Sequence, residues 1–172
     1  MKAILIELKD ENKTEIDKLM MAFSSAIRFS FNKIIQGKKI LDIEKCTANK
    51  YNLNSRQAKD AVENARQTIV SQKQLLKQNH ENYCKKINVI EKLLKDKSDK
   101  LSEKKKKSLS SKLEKRKRKL AKLKWHIENN TIPSVIFGTK AMFIKRCKGL
   151  ITHDEWVDIR SNRVYSRGDK TK

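Results

Sequence analysis

Proline and glycine are scarce in this sequence, with one and four residues respectively among 172, so few positions interrupt a helix or force a turn. Aromatic residues make up only 6%, which leaves little material for a large compact core. No apolar run approaches the roughly 18 residues that a membrane-spanning helix needs. We therefore expect an elongated, mainly helical protein with no membrane partner.

Cysteine is also rare. Cys46, Cys84 and Cys147 are odd in number and widely spaced, with no CxxC pair, so we expect reduced thiols and no structural zinc. The apolar stretch near the N-terminus is too short for a secretory signal, and the expected location is the cytoplasm.

Clustered carboxylates, which a metal-dependent nuclease needs around its Mg²⁺ ions, are missing as well. The acidic residues Asp154, Glu155 and Asp158 fit a helix-capping turn better than a metal site. His80 and Cys84 are four residues apart, but no further ligand lies nearby in the sequence. We predict no catalytic residue, no metal site and no cofactor in this chain.

Positive charge is abundant. The net charge is +22, and residues 95–124 alone hold fifteen Lys or Arg against four Asp or Glu. Such an excess favours binding to a long polyanion, because each phosphate contact releases condensed counterions, and RNA is the first candidate. For the run around Lys115, Arg116 and Arg118 the alternative is a solvated face of a coiled coil.

The segment from Ser55 to Asn129 contains neither glycine nor proline. Apolar residues recur in it at alternating spacings of four and three, before and after a polar patch at residues 97–103. This pattern predicts two helical arms, which form an antiparallel coiled-coil hairpin over about residues 70–129.

The remaining segments predict further helices and a small β part. We expect strands at residues 1–9, 134–137 and 163–166, a short helix at 38–45, and a loop at 47–54. A helix that starts near Thr14 ends at Gly37, a basic helix covers residues 140–148, and Thr152 with Glu155 forms a capping box for the last helix.

Candidate contact residues fall into two groups. Basic side chains in three segments are predicted to bind RNA: Arg56, Lys59, Arg66, Lys115, Arg116, Arg118, Lys140, Arg146, Arg160, Arg163 and Arg167. Tyr51, Ser55 and Gln57 lie at the start of a helix, where side chains reach base edges and backbone N–H groups meet phosphates. A plain helix cap with surface polar residues explains the second group equally well.

Three stretches in order, residues 51–68 (YNLNSRQAKDAVENARQT), 132–160 and 161–172, resemble the N-terminal half of TnpB-type RNA-guided DNA nucleases and their compact type V CRISPR relatives. The resemblance implies a wedge-type β-barrel, incomplete here, made from residues 1–10 and 132–172. It also implies that residues 11–131 form a helical recognition lobe, into which the basic hairpin is inserted.

By the same resemblance, the chain binds guide RNA and target DNA in a prokaryotic or phage-encoded system. Contacts to the DNA motif or heteroduplex fall on Tyr51, Ser55, Arg56 and Gln57. Contacts to the guide scaffold fall on Lys140, Arg146, Arg163 and Arg167. The RuvC-like acidic triad and the CxxC zinc element of that family are missing from this sequence. We therefore expect a non-catalytic part that is split or truncated before the RuvC-like nuclease, to which Mg²⁺ belongs. It acts with a separately encoded RuvC-like subunit, or as an RNA-guided or RNA-binding module without cutting. The alternative is a standalone basic coiled-coil adaptor or a non-specific nucleic-acid-binding protein.

Overall fold

The computed structural model describes residues 13–96 and 101–161. These residues form six α-helices joined by short connections. The helices are α1 (Lys13–Ile35), α2 (Ile40–Tyr51), α3 (Ser55–Asp96), α4 (Glu103–Glu128), α5 (Lys140–Cys147) and α6 (His153–Arg160). No strand occurs in these two ranges, so the fold that they define is all-α.

The prediction of a small β part and an incomplete wedge-type barrel is therefore wrong. Residues 134–137 form an irregular connection and not a strand. A strand is stable only when a neighbour pairs with its backbone, whereas this segment is anchored by side chains. Phe137 packs edge-to-face on Phe31, with ring centroids 5.2 Å apart. The other two predicted strands, at residues 1–9 and 163–166, lie outside the described residues.

The chain divides into two compact units, the first made of Met1–Gln67 and Val135–Lys172 and the second of Thr68–Ser134. In the first unit, a core cluster joins α1 to the start of α3. It contains Phe23, Ala26, Leu53, Ala58 and Ala61. The alanines let the two helices approach closely, which explains why the start of α3 is rich in small residues.

Helix α2 is longer than the sequence predicted, because residues 47–51 continue the helix where we expected a loop. Thr47 is fully buried, and its hydroxyl forms a 3.1 Å hydrogen bond with that of Ser30 on α1. This bond satisfies two buried hydroxyl groups at once, so a polar segment remains helical. The helix ends at Asn52, which has a left-handed backbone (φ 50°).

Left-handed residues end three further helices: Gly37, Asn130 and Gly149. In each case the next residue's N–H donates to a carbonyl five residues back, as in a Schellman motif. The predicted helix ends at Gly37 and Gly149 are confirmed.

The predicted capping box at the start of α6 is also confirmed. The Thr152 hydroxyl accepts from the Glu155 N–H, and the Glu155 carboxylate accepts from the Thr152 N–H at 2.7 Å. Trp156 in the following turn is buried and packs near Gly138. Any side chain at Gly138 would place its Cβ 2.9 Å from the Trp156 ring, and the backbone there has φ +107°, so only glycine fits.

In the second unit, α4 runs antiparallel to the later part of α3. Lys73 donates to the Asn130 side chain at 2.9 Å, while Arg116 donates to the Lys86 carbonyl at 3.0 Å. Leu76, Ile87 and Ile90 of α3 are buried, whereas no residue of α4 is. The helical pair is therefore held by one narrow apolar stripe and a few polar ties.

We predict that Thr47→Val lowers the free energy of unfolding by about 1–3 kcal/mol, because it leaves the buried Ser30 hydroxyl without its partner. The double variant Ser30→Ala/Thr47→Val removes both hydroxyl groups and should recover part of the loss. Urea denaturation of the single and double variants measures this coupling. Strictly additive losses would contradict it.

The Thr152 N–H and hydroxyl both bind the Glu155 carboxylate, and these bonds lower the pKa of Glu155. A lowered folded-state pKa means that the contribution to stability is complete above the ordinary glutamate value and is lost as pH falls through the lowered one. We predict that Thr152→Ala raises this pKa part of the way toward its ordinary value, because it removes the hydroxyl bond and keeps the stronger effect of the backbone N–H, whereas Thr152→Ser does not. NMR titration of the Glu155 carboxyl group is the measurement, and an unchanged pKa in Thr152→Ala would refute the assignment.

Candidate nucleic-acid interface

Helix α4 carries twelve Lys or Arg residues against three Glu. The positions of α4 that are partly buried form the stripe that faces α3. Most of the charged side chains lie off this stripe and point to solvent. Lys115 is exposed, and Arg118 lies 3.8 Å from Glu114 with their side chains 80% and 72% exposed. An ion pair this exposed contributes little, so it competes weakly with an incoming phosphate.

Arg116 and Lys117 have a different role from their neighbours. Arg116 is half-buried and donates to the Lys86 carbonyl of α3. Lys117 forms a 2.7 Å salt bridge with Glu91, also on α3. These two cations hold the helices of the second unit together, which leaves Lys115 and Arg118 as the phosphate-binding candidates of this run.

Trp125 was not among the residues predicted from the sequence. It lies on α4, after Lys122 and Lys124 and directly before His126, whose ring it contacts. Its side chain is 55% exposed. An exposed indole among lysines provides a surface on which a nucleic-acid base can stack. The signal in the sequence was an aromatic residue within a basic run, KLKWHIE, in a chain with few aromatics.

In the first unit, the predicted basic residues of α3 share their surroundings with acids. A concave surface enclosing about 770 Å³ is lined by the basic residues Arg56, Lys59 and Arg66 and by the acidic residues Glu44, Asp60 and Glu63. Arg66 forms two hydrogen bonds to the Glu63 carboxylate, at 2.8 and 2.9 Å, which raise its pKa. Since its charges are balanced, this surface is less suited than α4 to a polyanion.

Apart from Arg56, the residues predicted to contact DNA are Tyr51, Ser55 and Gln57, and these do not form one exposed group. Tyr51 is half-buried against the core and packs edge-to-face on Phe29, with centroids 5.8 Å apart. Asn54, and not Ser55, caps α3: its side chain accepts from the Gln57 N–H at 2.8 Å, and the Gln57 side chain accepts from the Asn54 N–H at 3.1 Å. Ser55 is exposed in the first turn.

The C-terminal basic residues are dispersed. Lys140 is exposed at the start of α5, while Arg146 donates to the Ile151 carbonyl at 3.4 Å and braces the connection to α6. Arg160 lies over the Trp156 ring, 5.8 Å from its centroid. Arg163 and Arg167 lie outside the described residues.

Arg28 is a second residue that the sequence prediction missed. It is half-buried on α1 and lines a cavity of about 400 Å³ together with Arg160. Burial lowers the pKa of Arg28, and the positive charge of Arg160 lowers it further. The apolar periodicity of α1 gave no reason to separate this arginine from an ordinary surface charge.

Within residues 13–96 and 101–161, no three His, Cys, Asp or Glu side chains are grouped so that they could hold a metal ion. Cys46, Cys84 and Cys147 are all free thiols. None of the described helices is both long and apolar enough to cross a membrane.

The described residues thus define an all-helical, strongly basic protein with an antiparallel helix pair. Residues 1–172 match the family model described as the SSO2105 N-terminal domain, and the chain belongs to this family. Neither the curated proteins nor the solved structures contain a match to the chain.

We predict that Trp125→Ala weakens binding of single-stranded RNA by about five- to hundred-fold, since stacking on an aromatic contributes roughly 1–3 kcal/mol per base. Trp125→Phe keeps a stacking surface and should lose much less. Fluorescence anisotropy with a labelled oligonucleotide measures both affinities. Equal affinities for Trp125→Ala and the unmodified protein would show that the indole makes no contact.

Proposed function

We propose that this chain is a non-catalytic RNA-binding protein that holds the phosphate backbone on the solvent-facing side of α4. The observation that carries the proposal is the combination on one helix of twelve cations, three acids and no buried residue. A charge density of this kind is self-repulsive unless a polyanion neutralises it. Binding through this surface is expected to depend steeply on salt and weakly on sequence.

RNA is favoured over duplex DNA because of Trp125. A duplex keeps its bases stacked on one another, whereas loops and single strands present base faces to aromatic side chains. The exposed indole adjoins the lysines of the same helix, so one strand can contact both.

A finer proposal is that the RNA is a guide. On this proposal, the chain is the RNA-binding part of a TnpB-like RNA-guided system. The chain acts on target DNA together with a separately encoded RuvC-like subunit. Support comes from the order of the three segments at residues 51–68, 132–160 and 161–172. DNA cleavage and Mg²⁺ binding belong to that partner, in the cytoplasm of a prokaryotic cell.

The second candidate is a standalone adaptor or a coat that binds nucleic acid without preference. The observation that favours it is that the strongest basic surface consists of Lys and Arg side chains on one helix, which contact phosphates and do not read bases. The two candidates differ in selectivity. A guide-binding protein retains one defined RNA at raised salt, whereas a coat loses all polyanions at similar salt concentrations.

To test the surface, four exposed cations of α4 are replaced together: Lys115, Arg118, Lys119 and Lys122, each by Gln. The ties made by Arg116 and Lys117 remain. We predict weaker RNA binding and a slope of log K against log salt that is smaller by about 2–3, since each phosphate contact to a single strand contributes about 0.7.

The matched control removes four exposed cations from the first unit, with Lys18, Lys38, Lys39 and Lys45 each replaced by Gln. It has the same net charge as the α4 variant, so a general charge effect would change both equally. Equal salt slopes for the two variants would overturn the assignment to α4. Sequencing of RNA that copurifies at raised salt then separates a guide from a random mixture; random fragments alone would reject the guide proposal.

A further inference from the structure

The described residues that line the cavity beside Arg28 include two cations and no acid. Its walls come from α1, from the connection before α5 and from the end of α6. The lining residues are Ser24, Ile27, Arg28, Phe137, Gly138, Thr139, Ile159 and Arg160. Among these described residues the charged side chains are those of the two arginines, whereas the surface that Arg56 and Glu63 share also contains acids.

The two arginines repel each other within this cavity. Burial lowers the pKa of Arg28 and the charge of Arg160 lowers it further, while Tyr51 offsets part of this effect. Arg28 donates to the Ser25 hydroxyl at 2.8 Å, a neutral partner, and neither arginine takes part in a salt bridge with another described residue. Two guanidinium groups held close together are stabilised when an anion lies between them.

Arg160 also has an unused donor. Its Nε atom is buried and has no hydrogen-bond partner, which is rare for a buried N–H group. The guanidinium lies over the Trp156 ring, so its orientation is restricted before any ligand binds. A guanidinium with a restricted plane suits the oxygen atoms of phosphate, which guanidinium groups bind through two parallel bonds.

Two further lining residues, Gly138 and Thr139, come from the connection before α5. Gly138 has no side chain, and Thr139 is the N-cap of α5, so the cavity adjoins the positive end of that helix. The Thr139 hydroxyl already accepts from the Met142 N–H, which fixes the start of the helix. Helix N-termini with glycine beside them are a common setting for phosphate groups.

We propose that this cavity, with Arg28 and Arg160 as its two cationic ligands, is a binding site for a single phosphate group. The site lies in the first unit and binds one anion in a concave pocket, whereas α4 offers an extended surface in the second unit. It therefore stands independently of the RNA-backbone proposal. The same chemistry fits inorganic phosphate, the terminal phosphate of a nucleic-acid strand and a backbone phosphodiester.

The direct test is an NMR titration of the full chain with inorganic phosphate at constant ionic strength, in which chloride is exchanged for phosphate. We expect saturable shifts of the Gly138 and Thr139 amide signals. Arg28→Gln and Arg160→Gln should each weaken the binding at least about tenfold, the effect of losing one charge-assisted hydrogen bond.

Lys145→Gln is the matched control, because it removes one exposed positive charge from α5 in the same unit; it should titrate like the unmodified protein. Arg28→Lys keeps the charge and tests whether a loss comes from misfolding. Shifts that never saturate, or that persist unchanged in both Gln variants, would overturn the proposal. The α4 variant should keep the saturable shifts even if it loses RNA, so the two proposals can fail separately.

A competition experiment with RNA identifies the source of the phosphate group. Two RNA oligonucleotides of one sequence, with a 5′-phosphate or a 5′-hydroxyl, are added to the phosphate-bound protein. Displacement by the 5′-phosphorylated strand alone indicates a terminal phosphate, and equal displacement by both indicates a backbone phosphodiester. Displacement by neither indicates that free phosphate is the ligand.

Discussion

The repulsion among the cations of α4 is the constraint on which the second unit depends. Twelve Lys or Arg residues on one helix cannot be buried, and α4 buries none of its side chains, so the apolar stripe of α3 and a few polar ties must hold the pair. Two of these twelve residues, Arg116 and Lys117, form such ties with α3. Most of the remaining charges face solvent, and on our proposal bound RNA relieves the repulsion among them.

The helices of this chain were readable from the sequence because their signals are local. Gly37 and Gly149 end helices through their own backbone preferences, and Thr152 with Glu155 begins one through contacts three residues apart. The prediction of a strand at residues 134–137 was wrong because this segment is held by side-chain packing and not by backbone pairing. Phe137, for example, packs against Phe31. Residues 47–51 are helical and contact α1 through the Ser30–Thr47 bond, a contact across 17 positions that periodicity does not reveal.

The candidate sites were likewise predictable from the sequence only in part. Charge density along the chain pointed to α4, but it did not separate Arg116, which binds a carbonyl, from Arg118, which faces solvent. Likewise the sequence predicts Arg66 as a phosphate ligand, whereas in the fold its guanidinium forms two hydrogen bonds with Glu63. The Arg28–Arg160 pair joins residues more than a hundred positions apart, so only the folded chain brings them to one cavity. Sequence reasoning located the charge, and tertiary contacts decide which charges can reach a ligand.

The most direct test of the central claim is ultraviolet cross-linking of the full chain to RNA, followed by mass spectrometry of the modified peptides. If α4 is the main contact surface, adducts should concentrate on residues 103–128, with Trp125 among the modified positions. Adducts confined to residues 13–67, with α4 unmodified, would contradict the account.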